Sequence, residues 1–518
     1  MYKLGIDVGG TNTDAVILDE ENRVIADIKC PTSPDIYEGI VGALKNVLDV
    51  SGVDRAQIGQ AMLGTTQCTN AIVERKNLAK IGILRIGAPA TLGVMPMVDW
   101  EEDISAIAEG NVVIRGGYEF DGREITPLDE DAARAFFAEM KEKGVKSIAV
   151  SGAFSTVRND QELRAAELAK EVMGEDVHVS VSSEIGSMGL IERENATILN
   201  AALWQVAEKF TEGFARSLAD EGINNARIYI SQNDGTLMTM EYARRYPILT
   251  VACGPTNSIR GAGYLSSMEN AIVIDVGGTT TDVGVIQNGF PRESSVAVTI
   301  GGVRTNFRMP DVLSIGLGGG SIVREKEDGT VTVGPDSVGF ELTKKALVFG
   351  GDVMTATDIA VRLGMADIGD AGKVSFIPRE TAKKALDAIR TLAEDAIDAM
   401  KVSGDDSDVI LVGGGSVILP GSLAGAAQTL KPAHFGCANA IGSAISKVSG
   451  TLEKLINYDE IPREEALRMA KEEAVQMAVD AGAVRETVEI IDMEDVPLQY
   501  YPGNTNRVKI KAAGDLKA

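Results

Sequence analysis

The sequence predicts an α/β protein of two lobes with a ligand cleft between them, and three observations carry that prediction. A nine-residue motif occurs twice, as Ile6-Asp7-Val8-Gly9-Gly10-Thr11-Asn12-Thr13-Asp14 and as Ile274-Asp275-Val276-Gly277-Gly278-Thr279-Thr280-Thr281-Asp282. Short apolar runs, strands by length and composition, end repeatedly in glycine turns. Charged segments with helical spacing alternate with those strands, as in a layered α/β domain.

In chain order, Leu4 to Val8 and Ala15 to Leu18 read as a β-hairpin with glycines at its tip, followed by the turn Asp19-Glu20-Glu21-Asn22. A helical pattern covers Ile36 to Leu48, and a strand from Gln60 to Leu63 runs into Gly64-Thr65-Thr66. Thr126 to Glu175 alternates charged helices with the strand Ser147 to Val150. From Glu192 to Asp220 the residues Ile198, Leu199, Leu203, Val206, Phe210, Phe214 and Leu218 keep helical spacing, which predicts one core-facing helix linking the lobes. The strand Ile228 to Ile230 and the loop Ser231 to Gly235 precede a predicted turn, Cys253-Gly254-Pro255, and then the second hairpin. A helix from Thr381 to Met400 leads into the strand Val409 to Val412 and the turn Gly413-Gly414-Gly415. Pro462 to Ala481 reads as an acidic, solvated helix, with strands at Thr487 to Ile491 and Arg507 to Ala512. These pieces divide into 1–190 with the first hairpin, 191–455 with the second hairpin and the Gly413 turn, and 456–518 as an accessory helix and strands.

Composition limits the function classes. A chain of 518 residues, 44% hydrophobic, supports two or more cored domains. A formal charge of −25 argues against nucleic acid and anionic membranes as partners, since such binding needs clustered Lys and Arg. No apolar run approaches the roughly 18 residues of a membrane span, and Met1 to Leu4 lacks the features of a secretion signal, so a cytoplasmic protein is expected. Cys30, Cys68, Cys253 and Cys437 have no paired spacing and read as reduced thiols; Cys253 has no nearby basic residue to activate it. The two histidines, His178 and His434, are too few for a histidine metal centre, and His434 reads as structural or helix-capping.

The repeat itself points to phosphate. In each copy a buried strand delivers an Asp, and two glycines without side chains let backbone N–H groups approach an anion. One Gly-Gly-Thr hairpin reads equally well as a tight turn; two copies favour a clamp. Gly9, Gly10, Thr11, Asn12, Thr13 and Asp14 would face Gly277, Gly278, Thr279, Thr280, Thr281 and Asp282 across ATP, with Asp7 and Asp275 holding Mg²⁺ and orienting the nucleophile. A dinucleotide-binding fold needs a helix straight after its glycines, whereas strands are predicted here, and the Walker-type G-x-x-x-x-G-K-[ST] loop is absent.

Together with Leu411-Val412-Gly413-Gly414-Gly415-Ser416, the hairpins resemble the phosphate-1, phosphate-2 and adenosine motifs of the superfamily that holds actin, hexokinase and the heat-shock chaperone ATPases. Within it, Gly64-Thr65-Thr66 with Thr69-Asn70-Ala71 and Glu74-Arg75, Cys253-Gly254-Pro255, and Ser314-Ile315-Gly316 with Gly318-Gly319-Gly320-Ser321-Ile322 resemble the hydantoinase/oxoprolinase A-subunit family, from Lys3 to about Leu419. The resemblance implies a two-lobed actin-like ATPase with duplicated ribonuclease H-like domains and an interlobe nucleotide cleft. It implies ATP and Mg²⁺ as cofactors, with Gly413, Gly414, Gly415 and Ser416 on the nucleotide. The implied activity is ATP-dependent hydrolysis of a small cyclic amide, a hydantoin, 5-oxoproline or a related lactam, by phosphorylation of its carbonyl oxygen. The ATP-using subunit of a ketone carboxylase is the alternative, a separate B-type subunit a possible partner, and self-association is expected.

Substrate contacts are expected at Thr65, Thr66, Asn70 and Arg75, where the plain reading is a helix cap, and at Gly318, Gly319, Gly320 and Ser321, where it is a glycine turn. The sequence departs from the family pattern at Asp311-Val312-Leu313-Ser314, where the family has a His, and at Gly339-Phe340-Glu341-Leu342-Thr343, which replaces a Pro-Gly-Pro-x-Cys-Tyr-Gly block. The family turn Ser-Gly-Pro-Ala-Gly-Gly reads Cys253-Gly254-Pro255-Thr256-Asn257-Ser258. The nucleotide site therefore transfers to this chain better than the substrate site. An ATP-driven chaperone or activator would need a substrate-binding domain or paired cysteines that the sequence lacks, and a sugar or glycerol kinase is the weaker third reading.

Overall fold

The computed structural model describes residues 1–32, 36–294, 298–307, 309–499, 501 and 503–516. Its first sheet has nine strands in the order β22-β23-β21-β10-β9-β4-β1-β2-β3. These are β1 Tyr2–Val8, β2 Asn12–Leu18, β3 Val24–Pro31, β4 Ile58–Thr65, β9 Arg227–Ser231, β10 Leu237–Thr239, β21 Val448–Asn457, β22 Glu489–Pro497 and β23 Thr505–Gly514. Strands β1, β4 and β9 are mutually parallel, so Asp7, Thr65 and Ser231 arrive at one edge of the sheet. That edge, at the carboxyl ends of parallel strands, is where open α/β sheets bind ligands.

The second sheet runs β13-β12-β11-β19-β20, with β16 paired to β12. Its strands are β11 Ala271–Val276, β12 Thr281–Gln287, β13 Phe290–Pro291, β16 Val312–Ile315, β19 Ser407–Val412 and β20 Ala426–Leu430. Here too a hairpin, β11 with β12, lies parallel to a following strand, β19. A four-stranded parallel sheet of β5 Ile81–Ala88, β6 Ala108–Arg115, β7 Ser147–Gly152 and β8 His178–Val181 is inserted after β4. Two small hairpins, β14 Val298–Ile300 with β15 Val303–Thr305 and β17 Ser321–Glu325 with β18 Val331–Ser337, complete the strands.

Each main sheet has its own apolar core. Leu4, Ile6, Ile17, Leu44, Leu63 and Phe214 anchor the first, and Ile274, Val283, Ile359, Ile389 and Leu411 the second. Two helices join the lobes: Cys253–Ser266 packs on β11 and β12, while Ala438–Ile445 packs on β1 and β2. They cross at backbone contact, since a Cβ on Gly261 would lie 1.9 Å from the Ala438 carbonyl oxygen and one on Gly442 1.8 Å from that of Asn257. No helix among the described residues is long and apolar enough to cross a membrane.

Several elements differ from expectation. The helix expected over Glu192–Asp220 is two, Leu190–Ala202 and Trp204–Asp220, because the chain turns at Leu203 to pack the first on β7 and the second on the helix Ile36–Ser51. Apolar spacing continues through the break, so nothing local marks it. These helices belong to the first lobe, and the link between lobes is the crossed pair described above. The predicted turn Cys253-Gly254-Pro255 is the first turn of a helix, where proline displaces no intrahelical hydrogen bond. Strands β9, β10 and β21 to β23 join the first sheet, so sheet membership does not follow the boundaries expected near 190 and 455.

Candidate functional site

The repeated sequence folds into repeated geometry. In the first hairpin Asp7 pairs with Asp14 and Val8 with Thr13; in the second Asp275 pairs with Asp282 and Val276 with Thr281. The turns close alike, through Gly9 N–H to the Asn12 carbonyl at 3.0 Å and Gly277 N–H to the Thr280 carbonyl at 2.9 Å. The tips face one another: a Cβ on Gly278 would lie 3.1 Å from Thr11 Cγ2.

The third and fourth glycine segments converge on the second tip. Gly319 and Gly320 donate N–H bonds to the carbonyls of Gly277 and Gly278 at 3.0 and 2.7 Å. A side chain on Gly318 would meet the Gly278 carbonyl, and one on Gly415 the Gly277 carbonyl oxygen at 2.3 Å. Gly318 to Ser321 therefore backs the second hairpin, with Ser321 Oγ accepting the Gly318 N–H at 2.8 Å. Gly413 turns with φ 82°, and its N–H bonds the Phe435 carbonyl at 2.8 Å; Gly414 faces the first lobe, and Ser416 is buried.

Glycines also make room for the two first-strand carboxylates. A Cβ on Gly64, opposite Asp7 on β4, would lie 2.2 Å from Asp7 Oδ1, and one on Gly413, just past β19, the same distance from Asp275 Oδ1. Asp7 is 3% exposed; Asn257 Nδ2 donates to its Oδ1 at 3.2 Å and Asn439 Nδ2 to its Oδ2 at 2.9 Å. Burial, aided by the charge of Asp14 and opposed by both amides, pushes the Asp7 carboxyl up to about 6. Burial likewise raises Asp275, whose Oδ2 accepts the Ser258 hydroxyl. Asn257 and Ser258, successive residues of one helix, thus hold carboxylates of opposite lobes. They stand where the resembling family turn carries two glycines.

The second-strand carboxylates are partnered differently. Asp14 is ion-paired to Lys29 on β3, and Asp282 accepts a hydrogen bond from Ser314 on β16. Burial raises both, Asp282 to about 6. No group of three or more His, Cys, Asp or Glu side chains among the described residues is placed to hold a metal ion unaided. A magnesium–nucleotide complex needs only one or two carboxylates, with phosphate and water filling the other positions. Asp7 and Asp275, close enough that the charge of Asp275 acts on Asp7, fit that donor set.

Of the expected substrate residues, Thr65 is buried beside Val8, and Thr66 donates both N–H and Oγ–H to the Val8 carbonyl at 3.3 Å. Asn70, one turn into the helix Gln67–Glu74, donates to Thr66 Oγ1 at 3.3 Å. Arg75 closes the far end of that helix, about 12 Å away by helical rise, and is ion-paired to Glu101 and Asp103 at 3.2 Å. The structure therefore brings Thr65, Thr66 and Asn70 to the first hairpin and leaves Arg75 outside it. Cys253 is a buried thiol donating to the Thr65 carbonyl, pushed up to about 12 by burial. His434 has φ 58° and pairs with Asp27 at 2.9 Å. Sequence reasoning missed Lys29, Asn257, Ser258 and Asn439.

Comparison with known proteins covers most of the chain. The family model described as the hydantoinase/oxoprolinase N-terminal region matches residues 3–173, and that described as hydantoinase/oxoprolinase matches residues 193–370. The caprolactamase subunit alpha of Pseudomonas jessenii is 27% identical over 75% of this chain and 58% of its own length. The acetophenone carboxylase gamma subunit of Aromatoleum aromaticum is 26% identical over 70% of this chain and 53% of its own. The chain thus spans rather more than half the length of these relatives. The crystal structure of the ATP-dependent caprolactamase from Pseudomonas jessenii superimposes with a TM-score of 0.80 at 20% identity, covering 99% of this chain and 88% of that one, which establishes a shared fold.

Proposed function

The chain belongs to the hydantoinase/oxoprolinase family, and from that premise we propose that it binds ATP between its lobes and activates a small cyclic amide for hydrolysis. The observation that carries the proposal is the pair of facing hairpins whose carboxylates, Asp7 and Asp275, are held by adjacent residues of one interlobe helix. Gly9 to Asp14 and Gly277 to Asp282 would hold the phosphates, Gly413 to Ser416 the nucleoside side, and Asp7 and Asp275 Mg²⁺. ATP supplies the phosphoryl group that turns an unreactive amide carbonyl into one water can attack.

The residues of the cleft divide that work. Backbone N–H groups at the hairpin tips meet charge on the phosphoryl oxygens, and the carboxylates of Asp7 and Asp275 orient the reacting groups. Thr65, Thr66 and Asn70, beside the first tip, would place the substrate carbonyl in line with the phosphoryl group. In balance, the bond from the γ-phosphorus to the ADP oxygen breaks as one to the carbonyl oxygen forms. Water then adds at carbon and the ring C–N bond opens, the nitrogen leaving as the amine, to give an acyl phosphate. A second water attacks the same carbon and displaces inorganic phosphate, which keeps the former carbonyl oxygen.

Purified protein with Mg²⁺ and ATP should release ADP faster when lactams, hydantoins or ketones are supplied one at a time. A panel that leaves ADP release unchanged, with cell extract present to provide partner subunits, removes the enzyme reading. The similarity to a carboxylase gamma subunit favours a second reading equally well, an ATP-using carboxylase subunit. Stimulation only by a ketone with bicarbonate would select it. Either reading admits a separate partner subunit, as the relatives' names imply for those proteins.

A further inference from the structure

The duplication extends one strand beyond the repeated sequence. β3 pairs with β2 as β16 pairs with β12, and the registers place Lys29 opposite Asp14 and Ser314 opposite Asp282. Lys29 and Ser314 therefore occupy corresponding positions in the two halves. The second lobe satisfies its carboxylate with a neutral hydroxyl, while the first uses a cation.

Three observations separate Lys29 from a side chain that merely neutralises its neighbour. Its Nζ lies 2.5 and 2.7 Å from the two oxygens of Asp14, yet an ammonium carries three donors, so this partner does not exhaust it. Asp14 is 2% exposed but the Lys29 side chain 31%, so the charge is anchored at a buried carboxylate while part of the lysine still reaches the surface of the cleft. Its methylene stem runs beside Gly414 of the second lobe, where a Cβ would lie 3.6 Å from Lys29 Cε. The lysine thus reaches from the first sheet to the nucleotide turn of the second, and its charge is felt by Asp275 as well as by Asp14.

We propose that Lys29 is a catalytic residue whose ammonium hydrogen-bonds the γ-phosphoryl group of ATP as it is transferred, with Asp14 as the positioning residue that aims it. The proposal rests on the reading of the cleft as an ATP site and adds to it the identity of the protein cation there. A compact ammonium on a flexible stem meets phosphate as a point charge and can follow the group as it moves. The carboxylate pair fixes that charge in advance, the condition under which electrostatic stabilisation lowers a barrier. The hairpin amides would hold both nucleotides, whereas Lys29 would discriminate the one with a third phosphate.

The test is the affinity of the purified full chain for Mg²⁺–ADP and for a non-hydrolysable Mg²⁺–ATP analogue, by calorimetry. Lys29→Met should weaken the analogue by roughly ten- to a hundredfold, the loss of one charge-assisted hydrogen bond, while ADP affinity changes by less than about twofold. Lys29→Arg should recover part of the discrimination, and Asp14→Asn should lose part of it. Lys29→Gln keeps a donor to Asp14 without the charge and carries the same comparison if the methionine variant does not fold. Equal losses for both nucleotides, or none, would overturn the assignment while leaving the ATP site standing. Wild-type protein that binds neither nucleotide removes both.

Discussion

Gly64→Ala tests the geometry of the first carboxylate with one methyl group. Gly64 lies opposite Asp7 in the parallel register of β1 and β4, and a Cβ there falls 2.2 Å from Asp7 Oδ1 and 2.5 Å from Asn257 Nδ2. Real Cβ contacts essentially never fall below 3.0 Å. The carboxylate must therefore move by roughly 1 Å in a site with little slack, because both its oxygens are already held by Asn257 and Asn439. A misplacement of about 1 Å in a reacting constellation costs on the order of a hundredfold in rate. Overpacking adds about 1–3 kcal/mol of destabilisation, small enough to leave the protein folded. The assay is steady-state ADP release at saturating Mg²⁺–ATP, beside a thermal melt. Gly42→Ala is the control, since a Cβ there meets nothing within 4 Å in the helix Ile36–Ser51 and should stabilise by about 0.5–1 kcal/mol. A folded Gly64→Ala protein turning over within about threefold of wild type would refute the claim that Asp7 must sit where it does.

Other consequences follow from the same contacts. Asp282→Asn should raise the melting temperature at neutral pH, because burial lifts this carboxyl from 3.8 to about 6. The folded state holds its proton more tightly, so wild-type stability falls as pH rises through that window. The variant's gain, on the order of 3 kcal/mol above it, should fade as pH drops toward 4, and a gain constant with pH would contradict the assignment. Asn257→Ala and Asn439→Ala should each cost about 1–3 kcal/mol in chemical unfolding, and because both act on one carboxylate their double variant should depart from the sum by about 0.5 kcal/mol or more. Gly261→Ala drives a methyl into the Ala438 carbonyl at the helix crossing, and soluble expression with a melting temperature near wild type would refute that packing.

Much of this site was legible in the sequence because the hairpins recur almost residue for residue, and a strand–glycine–strand pattern has one economical folding. The third strands were not legible as a pair. Lys29 lies in a β-patterned run with no resemblance to Ser314, and only the registers reveal them as counterparts. Asn257 and Ser258 depart from the family turn, but the Gly-Pro pair before them reads as a turn and conceals the helix that aims them at Asp7 and Asp275. Asn439 is brought to Asp7 across almost the whole chain by a helix crossing that depends on two missing side chains, Gly261 and Gly442. Strand order is equally non-local: β21 to β23 extend the first sheet although the second lobe's strands intervene in sequence, so boundaries drawn along the chain could not follow the sheets.

The proposal that a carbonyl oxygen receives the γ-phosphoryl group can be tested by following that oxygen. A lactam or hydantoin that stimulates ADP release is prepared with ¹⁸O in its carbonyl, turned over with Mg²⁺ and ATP in ordinary water, and the inorganic phosphate is examined by mass spectrometry. The account predicts one labelled oxygen in each phosphate released, in step with ring opening and lost together with turnover in Asp275→Asn. Ring opening that leaves all of the label in the carboxylate product would contradict it.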